Sequence, residues 1–367
     1  MLLLDVNNYF TIKYSSVTSL LLKELKISKK DWKKSGILPN IDSSFYKTQK
    51  KAFFNLVVNE LKPLLSKFSS TYGEFVIAKD YDKANYWRKE IFKPYKANRD
   101  IRGDDFGSLI EKENFEHKNE LLQFLKYNGI KVIEELEVVY KANPKASIEA
   151  DDIIASLTTL PGKHLIISND GDFHQLMIKD NIKIYNPFER KIITKTKKEI
   201  NDKNLRECLL GQAKDNIYSI KYNSEISEDF IEWMNKKYDV EITHDMIFVL
   251  IKKYSMYMKE YEKEKEIEDI ALIKSGKRKK KRHLTAFSKA NFGTVTCEKM
   301  LSEYTLDEIL DMNVLYRARF NLNELLYRLD KIPDEVKSKC IDAYQNYEIK
   351  KNSMLVQQFQ LRYGITF

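Results

Sequence analysis

The stretch LIISNDGDFHQL, residues 165–176, joins a short apolar run to a polar segment that contains two aspartates, Asp170 and Asp172. A short apolar run bounded by polar residues is typical of a strand that is buried on both faces of a parallel sheet. Here the run leads directly into two negative charges that lie two positions apart. The sequence therefore raises the question of what stabilises paired carboxylates at the end of a buried strand.

Two earlier apolar runs of the chain also end on an acid. The segments MLLLD and GEFVIAKD predict buried strands, and they end at Asp5 and Asp80. Between the predicted strands, residues 51–67 carry apolar side chains at helical spacing, and residues 118–135 predict a helix followed by a strand. The chain thus repeats one pattern, in which an apolar strand ends in a carboxylate.

An acidic helix start follows in the segment SIEADDIIASLTTL, residues 147–160. Ser147 is the predicted N-cap, because serine accepts hydrogen bonds from the backbone N–H groups of a first helical turn. Glu149, Asp151 and Asp152 come directly after it. Each acid alone has a simple structural explanation, since Asp favours turns and acids favour helix N-termini. Their joint placement at matching positions favours a shared site.

Alternating strands and helices predict an α/β fold with a mostly parallel central sheet and helices on its faces. In such sheets the working site lies outside the carboxyl ends of the strands, so we expect the strand-ending acids and the acidic helix start to converge. Crowded carboxylates repel one another and take up protons unless a cation neutralises them. A pocket of carboxylates without His or Cys favours Mg²⁺ or Mn²⁺ over zinc.

The composition limits the classes of function. The chain has 367 residues, is 43% hydrophobic and carries a formal net charge of +9, from 63 Lys and Arg against 54 Asp and Glu. A basic surface suits nucleic acid, an anionic membrane or an acidic protein as partner. Three cysteines without paired spacing, no apolar run of bilayer length and no signal peptide predict a cytoplasmic protein.

Taken in order, the segments SIEADDIIASL, LIISNDGDFHQL and LLGQAKDNI resemble the acidic motifs of the 5′-nuclease superfamily. That superfamily includes flap endonucleases and the exonuclease domain of bacterial DNA polymerase I. Within it, the sequence most resembles the RNase H of large tailed bacteriophages, which removes RNA primers from lagging-strand fragments. The resemblance extends to VIAKDYDKANYWRKEIFKPYKANR, residues 76–99, and to LNELLYRLDKIPDEVKSKCIDAYQNY, residues 322–347. It is strong over residues 1–216 and poor in the middle of the chain.

The resemblance implies a PIN-like sheet with flanking helices and two domains. Residues 1–200 would form the catalytic α/β domain, with a helical arch at about 81–120. Residues 201–367 would form a mostly helical, duplex-binding region. That region would contain an inserted basic segment at about 217–290 and a helix-hairpin-helix at about 286–303.

The resemblance also implies two Mg²⁺ sites, at which Mn²⁺ would substitute. The first site would be formed by Asp5, Asp80, Asp152 and Asp170, with Glu149 and Asp151 nearby. The second would be formed by Asp172 and Asp215, together with Gln212 at a position where the family has a further Asp. Glutamine offers a carbonyl oxygen but no charge, so we expect weaker binding at the second site. The implied chemistry is in-line attack of a metal-activated water on a phosphodiester.

The arch region mixes aromatic and basic residues, which suits single-stranded nucleic acid because cations follow phosphates while aromatic rings stack on bases. From the YKANR match, Lys96 and Arg99 are predicted to bind the scissile phosphate and to act in catalysis with Asp152 and Asp170. Further nucleic-acid-binding candidates of the same segment are Tyr86, Trp87 and Arg88. The simpler alternative is a solvated loop.

Two segments near residue 290 are candidates for duplex binding. The segment NFGTVTCEKM predicts a hairpin followed by a helix that opens near Thr294, and backbone N–H groups at Gly293 and Thr294 would suit a duplex phosphate. A basic run precedes it, and we expect phosphate contacts that do not depend on base sequence from Lys277, Arg278, Lys279, Lys280, Lys281 and Arg282. The alternative for the hairpin segment is an ordinary turn, and the alternative for the basic run is a disordered solvated tail.

We therefore expect a structure-selective, Mg²⁺-dependent 5′ to 3′ exonuclease and flap endonuclease that acts on RNA–DNA and DNA duplexes. The resemblance implies primer removal during phage lagging-strand DNA replication, in the cytoplasm of the host cell. The expected substrates are DNA duplexes, RNA–DNA hybrids and 5′ flaps. Further expected partners are replication proteins such as a single-strand-binding protein or a sliding clamp. The protein is expected to be a monomer that does not bind membranes.

Two alternative functions stay open at this stage. A single-domain ribonuclease of the PIN class shares the acidic pocket, but the arch motif and the helix-hairpin-helix do not fit it. A duplex-binding protein with weakened catalysis is suggested only by Gln212. A phosphotransferase of the haloacid dehalogenase type is disfavoured, because the position two residues after Asp5 is Asn7 and not a second Asp.

Overall fold

A computed structural model describes residues 1–26, 28, 43–97, 105–221 and 292–367, together with residues 233, 235–237, 260, 261, 263, 264, 267, 268, 271 and 275. The chain forms two compact units. The first consists of Met1–Glu90, Arg99–Asn201 and Leu329–Phe367. The second consists of Ile91–Asn98 and Asp202–Arg328.

Among the described residues, strands and helices alternate up to residue 192, and the elements after it are helical. The described strands are β1 Leu2–Asp5, β2 Phe75–Ala78, β3 Lys131–Ile133, β4 Glu137–Tyr140, β5 Asn143–Ser147, β6 His164–Ile167, β7 Ile182–Asn186 and β8 Lys191–Ile192. The described α-helices are α1 Val6–Glu24, α2 Ser43–Tyr72, α3 Asp105–Tyr127, α4 Ala150–Leu157, α5 Lys197–Leu210, α6 Thr294–Glu303, α7 Leu306–Asp311, α8 Val314–Tyr327, α9 Asp334–Gln345 and α10 Ser353–Tyr363. Short 3₁₀ turns occur at Lys83–Asn85, Trp87–Glu90, Gly171–Ile178, Ala213–Asp215 and Leu329–Lys331.

The central sheet has the strand order β3-β2-β1-β6-β7-β8. All neighbouring pairs in it are parallel except β7 with β8, which is antiparallel. The predicted α/β fold with a mostly parallel sheet is therefore confirmed. The chain builds one side of the sheet with β2 and β3 and then the other side with β6 and β7, so the strand order reverses between β1 and β6. In open α/β sheets, ligands bind outside the carboxyl ends of the strands at such a switch point.

The register of the sheet brings three predicted site residues to one edge. In the parallel ladder Asp5 pairs with Ala78 of β2, and Leu4 pairs with Ile167 of β6. Asp80 therefore follows β2, and Asp170 follows β6, at the edge where β1 ends. The side chains of Leu2, Leu3 and Leu4 are almost fully buried, because helices cover both faces of the central strand.

The C-terminal helices α9 and α10 belong to the first unit. Val336 and Cys340 of α9 are fully buried, and α9 packs against α4. The Phe359 ring of α10 stacks on Phe124 of α3, with ring centroids 4.1 Å apart. The compact units therefore differ from the predicted division at residue 200, because residues 329–367 supply apolar side chains to the core of the first unit.

The second unit is held by buried polar contacts as well as by apolar ones. The side-chain amide of Asn323 on α8 donates to the carbonyl oxygens of Cys208 and Tyr218, both at 2.8 Å. Helix α6 begins at Thr294, as the sequence predicts. The basic run and the first part of the predicted helix-hairpin-helix lie outside the described residues, as does the part of the predicted arch at residues 98–104.

Among the helices that the structure describes, each is too short or too polar to cross a lipid bilayer. The three cysteines, Cys208, Cys297 and Cys340, are buried thiols.

Gly211 is required by the turn that follows α5, and its substitution tests that turn. Its φ of +71° is unfavourable for other residues, and a Cβ would collide with the Ile217 carbonyl oxygen. Gly73 has a similar φ of +78° but open space around it, so its substitution tests backbone strain without a collision. We expect Gly73→Ala to cost about 1 kcal/mol and Gly211→Ala about 3 kcal/mol or more. Urea unfolding of both variants checks this, and equal losses would contradict the close approach.

Candidate metal centre and nucleic-acid interface

The acids that follow β1 and β6 are joined by a serine. Asp5 is the N-cap of α1, and its Oδ1 accepts from the backbone N–H of Asn8 at 3.1 Å. Its Oδ2 accepts from the Ser168 hydroxyl at 3.2 Å. The same hydroxyl accepts from the backbone N–H of Asp170 at 3.1 Å, and Asp170 in turn accepts from the backbone N–H of Asp172 at 2.9 Å. Asp5 and Asp170 therefore lie together at the switch point.

Asp80 connects this edge to the acidic helix. Its Oδ1 accepts from the backbone N–H of Ala150, the first residue of α4, at 2.8 Å. The first N–H groups of a helix have no partner within the helix, and their partial positive charge favours a carboxylate. Each of the three strand-ending acids therefore uses an oxygen to bind the start of a helical segment, which holds the acidic cluster in place.

The three strand-ending carboxylates also act on one another. Burial, followed by the negative charges of Asp80 and Asp170, raises the pKa of Asp5 to about 7. Hydrogen bonds from Asn8 and Ser168 oppose this rise. The edge thus holds more negative charge than its local donors neutralise, which is a feature of sites that bind cations.

Arg88 forms a buried ion cluster with two acids of α4. Its Nη2 donates to Asp152 Oδ1 at 2.7 Å, and its Nη1 donates to Asp152 Oδ2 at 2.9 Å and to Glu149 Oε2 at 2.8 Å. The Trp87 indole N–H donates to Asp152 Oδ2 at 2.7 Å. Although burial raises the pKa of Asp152, this set of donors requires a charged carboxylate. The cation that neutralises Asp152 and Glu149 is thus supplied by the protein itself.

The burial of Tyr86, Trp87 and Arg88 corrects their predicted role as nucleic-acid contacts. The exposed fractions of these residues are 2%, 0% and 2%. Neither the aromatic rings nor the guanidinium group face solvent, so they offer no surface to a base or phosphate. The sequence did not show this, because the partners of Arg88 lie 61 and 64 residues further along the chain.

The start of α4 also differs from the prediction. Its N-cap is Glu149, whose backbone N–H donates to Asp152 Oδ2 at 3.4 Å. The predicted N-cap, Ser147, is the last residue of β5, and its hydroxyl donates to the carbonyl oxygen of Asp82. Ser147 belongs to the hairpin of β4 and β5, and the N-cap of α4 lies at Glu149, after the predicted position.

The remaining acids of this edge are Asp151 and Asp172, which are both half-buried. Among the residues that the structure describes, no three His, Cys, Asp or Glu side chains stand close enough to hold a metal ion as placed. The carboxylates are turned towards their helix starts, Ser168 and Arg88. The metal-binding roles assigned from the sequence therefore stay predictions.

The second unit places Lys96 beside the turn that contains Gln212 and Asp215. The Lys96 backbone N–H donates to the Asp215 carbonyl oxygen at 2.8 Å, and the Asn216 side-chain amide donates to the Pro94 carbonyl oxygen at 2.7 Å. Lys96 has a φ of 56°, in the left-handed region that is costly for a residue with a Cβ. Such strain is frequent at functional sites. Gln212 and Asp215 are buried, and their predicted metal-binding role with Asp172 stays a prediction.

Other predicted nucleic-acid contacts are only partly described. Gly293 and Thr294 are exposed, and Gly293 is the N-cap of α6 without a side-chain hydrogen bond to the helix start. The N-cap of α6 thus supplies no side-chain acceptor to the backbone N–H groups of the first turn. Arg99 and the basic run Lys277, Arg278, Lys279, Lys280, Lys281 and Arg282 lie outside the described residues.

Comparison with known proteins adds to this geometry. Residues 41–208 match the family model of the 5′-3′ exonuclease N-terminal, resolvase-like domain. The predicted resemblance to the 5′-nuclease superfamily is confirmed. The chain is 31% identical to the ribonuclease H of Enterobacteria phage T4 over 178 residues, which cover 47% of this chain and 54% of that protein. The chain thus spans about half the length of this curated relative.

Solved structures of bacteriophage T5 proteins align over nearly the whole chain at low identity. The T5 5′-exonuclease with bound zinc ions aligns at 13% identity and a TM-score of 0.48, covering 99% of both chains. The T5 D15 flap endonuclease, in a complex with DNA and metal ions, aligns at 12% identity and a TM-score of 0.42, also covering 99% of both chains. These alignments are too distant to define the fold, which the sheet order establishes directly.

The raised pKa of Asp5 predicts how stability depends on pH. A folded-state pKa of about 7 lies above the ordinary value of 3.8, so folding is favoured by protonation. This contribution is complete below about pH 4 and is lost as the pH rises towards 7. In EDTA, the free energy of unfolding of Asp5→Asn should therefore rise relative to that of the wild type by about 2–4 kcal/mol between pH 5 and pH 8.

Thermal unfolding of wild type and Asp5→Asn at both pH values measures this difference. Asp180→Asn is the matched control, because Asp180 is a largely exposed acid that pairs with Lys197 on the surface. Parallel pH profiles of wild type and Asp5→Asn would show that burial and the neighbouring charges do not raise the pKa of Asp5.

Proposed function

We propose that this protein is a structure-selective 5′ to 3′ exonuclease and flap endonuclease that hydrolyses phosphodiesters of RNA–DNA and DNA duplexes. The observation that carries the proposal is the convergence of Asp5, Asp80 and Asp170 at the switch point of the parallel sheet. There Ser168 links Asp5 to the Asp170 backbone, and Asp80 binds the start of α4. Burial and the charges of Asp80 and Asp170 raise the pKa of Asp5. The family match over residues 41–208 supports the proposal.

The residues at this edge fit a divalent cation. Their donors are carboxylate oxygens, with hydroxyl and amide oxygens nearby, which suits Mg²⁺ and also Mn²⁺. Asp5, Asp80, Asp151 and Asp170 would hold the first ion, with Asp151 in place of the predicted Asp152, because Arg88 neutralises Asp152. Asp172, Gln212 and Asp215 would hold a second, weaker ion. When bound, such ions supply an activated water and stabilise the leaving oxygen in phosphodiester hydrolysis. The bound metal ions of the T5 proteins are in keeping with this proposal.

The other proposed roles belong to residues that bind the substrate. Lys96 would bind the scissile phosphate, since its backbone is fixed to the Asp215 turn in a strained conformation. Arg99 would bind a neighbouring phosphate. The open start of α6 at Gly293 and Thr294 would bind a phosphate of the duplex, and Lys277–Arg282 would add contacts that are blind to base sequence. An exposed helix start of this kind favours a duplex-binding nuclease over a single-domain PIN ribonuclease.

The cellular role that fits these features is RNA primer removal during phage lagging-strand DNA replication, in the cytoplasm of the host. The similarity to the T4 ribonuclease H supports it. DNA duplexes, RNA–DNA hybrids and 5′ flaps would be the substrates of a monomeric enzyme. A single-strand-binding protein or a sliding clamp would be its partner at the fork.

The proposal predicts that Asp170→Asn loses cleavage but keeps substrate binding. Loss of one carboxylate weakens the cation site by several kcal/mol, so the single-turnover rate on a 5′-labelled RNA–DNA hybrid in Mg²⁺ should fall at least about a hundredfold. Substrate affinity in Ca²⁺ should change less than about twofold, because the basic surface is unaltered.

The matched control is Asp180→Asn, which removes an exposed acid of the same unit. It should cleave at the wild-type rate. Wild-type turnover by Asp170→Asn, or no cleavage by the wild-type protein, would refute the proposed function.

A further inference from the structure

The turn that joins β7 to β8 carries the most exposed aromatic ring among the residues that the structure describes. This ring belongs to Phe188, which is 72% exposed and lies in the turn at residues 187–190. Single apolar side chains on a protein surface are common and need no function. The position of the turn and its surroundings therefore decide whether this ring has a role.

The parallel register places the turn at the edge of the sheet that holds the acids. In the ladder of β6 and β7, Ile167 pairs with Tyr185, and the Ser168 backbone N–H donates to the Tyr185 carbonyl oxygen at 3.2 Å. Asp170 and Phe188 each lie three residues beyond this last pair, so both follow the carboxyl ends of neighbouring strands. Because neighbouring strands are about 5 Å apart, the turn begins about one strand spacing from the segment that carries Asp170.

The conformation of the turn is fixed by its own residues. Asn186 Oδ1 accepts from the backbone N–H groups of Phe188 at 2.8 Å and of Glu189 at 3.1 Å. Pro187 has a restricted φ, and Arg190 has a φ of 55°, in the left-handed region that is costly for a residue with a Cβ. A turn held in this way presents its ring at a low cost in conformational entropy, which favours binding.

The cleft beside the turn has an excess of positive charge. Arg190 Nη2 donates to Glu60 Oε1 at 3.1 Å, which fastens the turn to α2. The same carboxylate also pairs with Lys13, so two cations bind one acid. Lys67 of α2 is exposed and lines the cleft together with Glu60 and Arg190. An anionic ligand is therefore favoured next to the exposed ring.

A single exposed ring beside cations fits a nucleobase better than a protein partner. Aromatic rings stack on bases of any kind, while cations follow the phosphates of the same strand. A protein interface instead has a contiguous apolar core, whereas Phe188 is followed in the turn by the exposed charged residues Glu189 and Arg190. The ring and the acidic edge would then contact one strand of nucleic acid.

We infer that Phe188 stacks on a base of the strand that is cut, close to the scissile phosphate, and so positions that strand at the acidic edge. This inference rests on the proposed function. It adds a substrate contact from the turn between β7 and β8, which lies outside the nucleic-acid-binding residues predicted from the sequence. Because every base has a face that can stack, the contact is blind to base sequence.

Binding of an RNA–DNA hybrid in Ca²⁺ tests the contact. We expect Phe188→Ala to weaken the affinity about 5–100-fold, which is what stacking on one base contributes. Phe188→Leu, which keeps an apolar side chain without a ring, should lose as much, whereas Phe188→Trp should retain the wild-type affinity. The salt dependence of binding should not change in any of the three variants, because no phosphate contact is removed. The matched control is Leu361→Ala, which removes an exposed apolar side chain of α10 and should bind as wild type.

Hybrids with an abasic nucleotide identify the base that stacks. Each nucleotide of the cut strand that flanks the scissile phosphate is made abasic in turn, and the affinities of wild type and Phe188→Ala are compared. At one position we expect the abasic substrate to bind wild type as weakly as the intact substrate binds Phe188→Ala, with no further loss in the variant. An equal loss by Phe188→Ala on every abasic substrate would show that the ring does not stack on these bases, and the inference would be wrong.

The outcomes separate the inference from the proposed function. Cleavage by wild type in Mg²⁺, together with wild-type affinity of Phe188→Ala, overturns the inference alone and leaves the ring for a contact with another protein. A lack of cleavage by wild type overturns the proposed function itself. Urea unfolding of the variants should give the wild-type midpoint, because the side chain of residue 188 is exposed. If Phe188→Ala unfolds earlier, the comparison of Phe188→Leu with Phe188→Trp decides, and equal affinities of these two variants contradict stacking.

Discussion

The parallel register of β1 with β2 and β6 determines the rest of the site, because it brings three acids to one edge of the sheet. Because neighbouring parallel strands lead to Asp5, Asp80 and Asp170, negative charge is concentrated at this edge. Burial and these neighbouring charges together raise the pKa of Asp5. The structure must offset this repulsion locally, and most of the contacts around the site serve that purpose.

Two kinds of positive charge offset it within the protein. Helix starts contribute partial charges, since Asp5, Asp80 and Asp170 each accept a backbone N–H at the beginning of a helical segment. Arg88 contributes a full charge, which neutralises Asp152 and Glu149 on α4. Breaking a buried pair of this kind typically costs about 3–5 kcal/mol, so the cluster fixes α4 firmly against the sheet. The strand-ending acids keep an excess of negative charge, which a divalent cation would neutralise.

The parallel sheet and its acidic edge were predictable from the sequence, whereas the tertiary contacts around them were not. Apolar runs that end in Asp5, Asp80 and Asp170 predicted the parallel sheet and its acidic edge, because strand periodicity is local information. The partner of Arg88 could not be predicted, since a basic residue between aromatic ones looks the same in a loop and in a core. Ser147 was misplaced as an N-cap because the length of a hairpin depends on tertiary pairing. The packing of α9 and α10 on the first unit was missed for the same reason.

The central claim is that the switch-point edge binds the metal while Asp152 serves Arg88. A crystal of the protein soaked in Mn²⁺ tests it most directly, through the anomalous difference map. The account predicts a peak at about 2 Å from carboxylate oxygens of Asp170 and Asp151, with the Arg88 to Asp152 pair intact. A peak coordinated by Asp152 with Arg88 displaced, or no peak at this edge, would contradict the account.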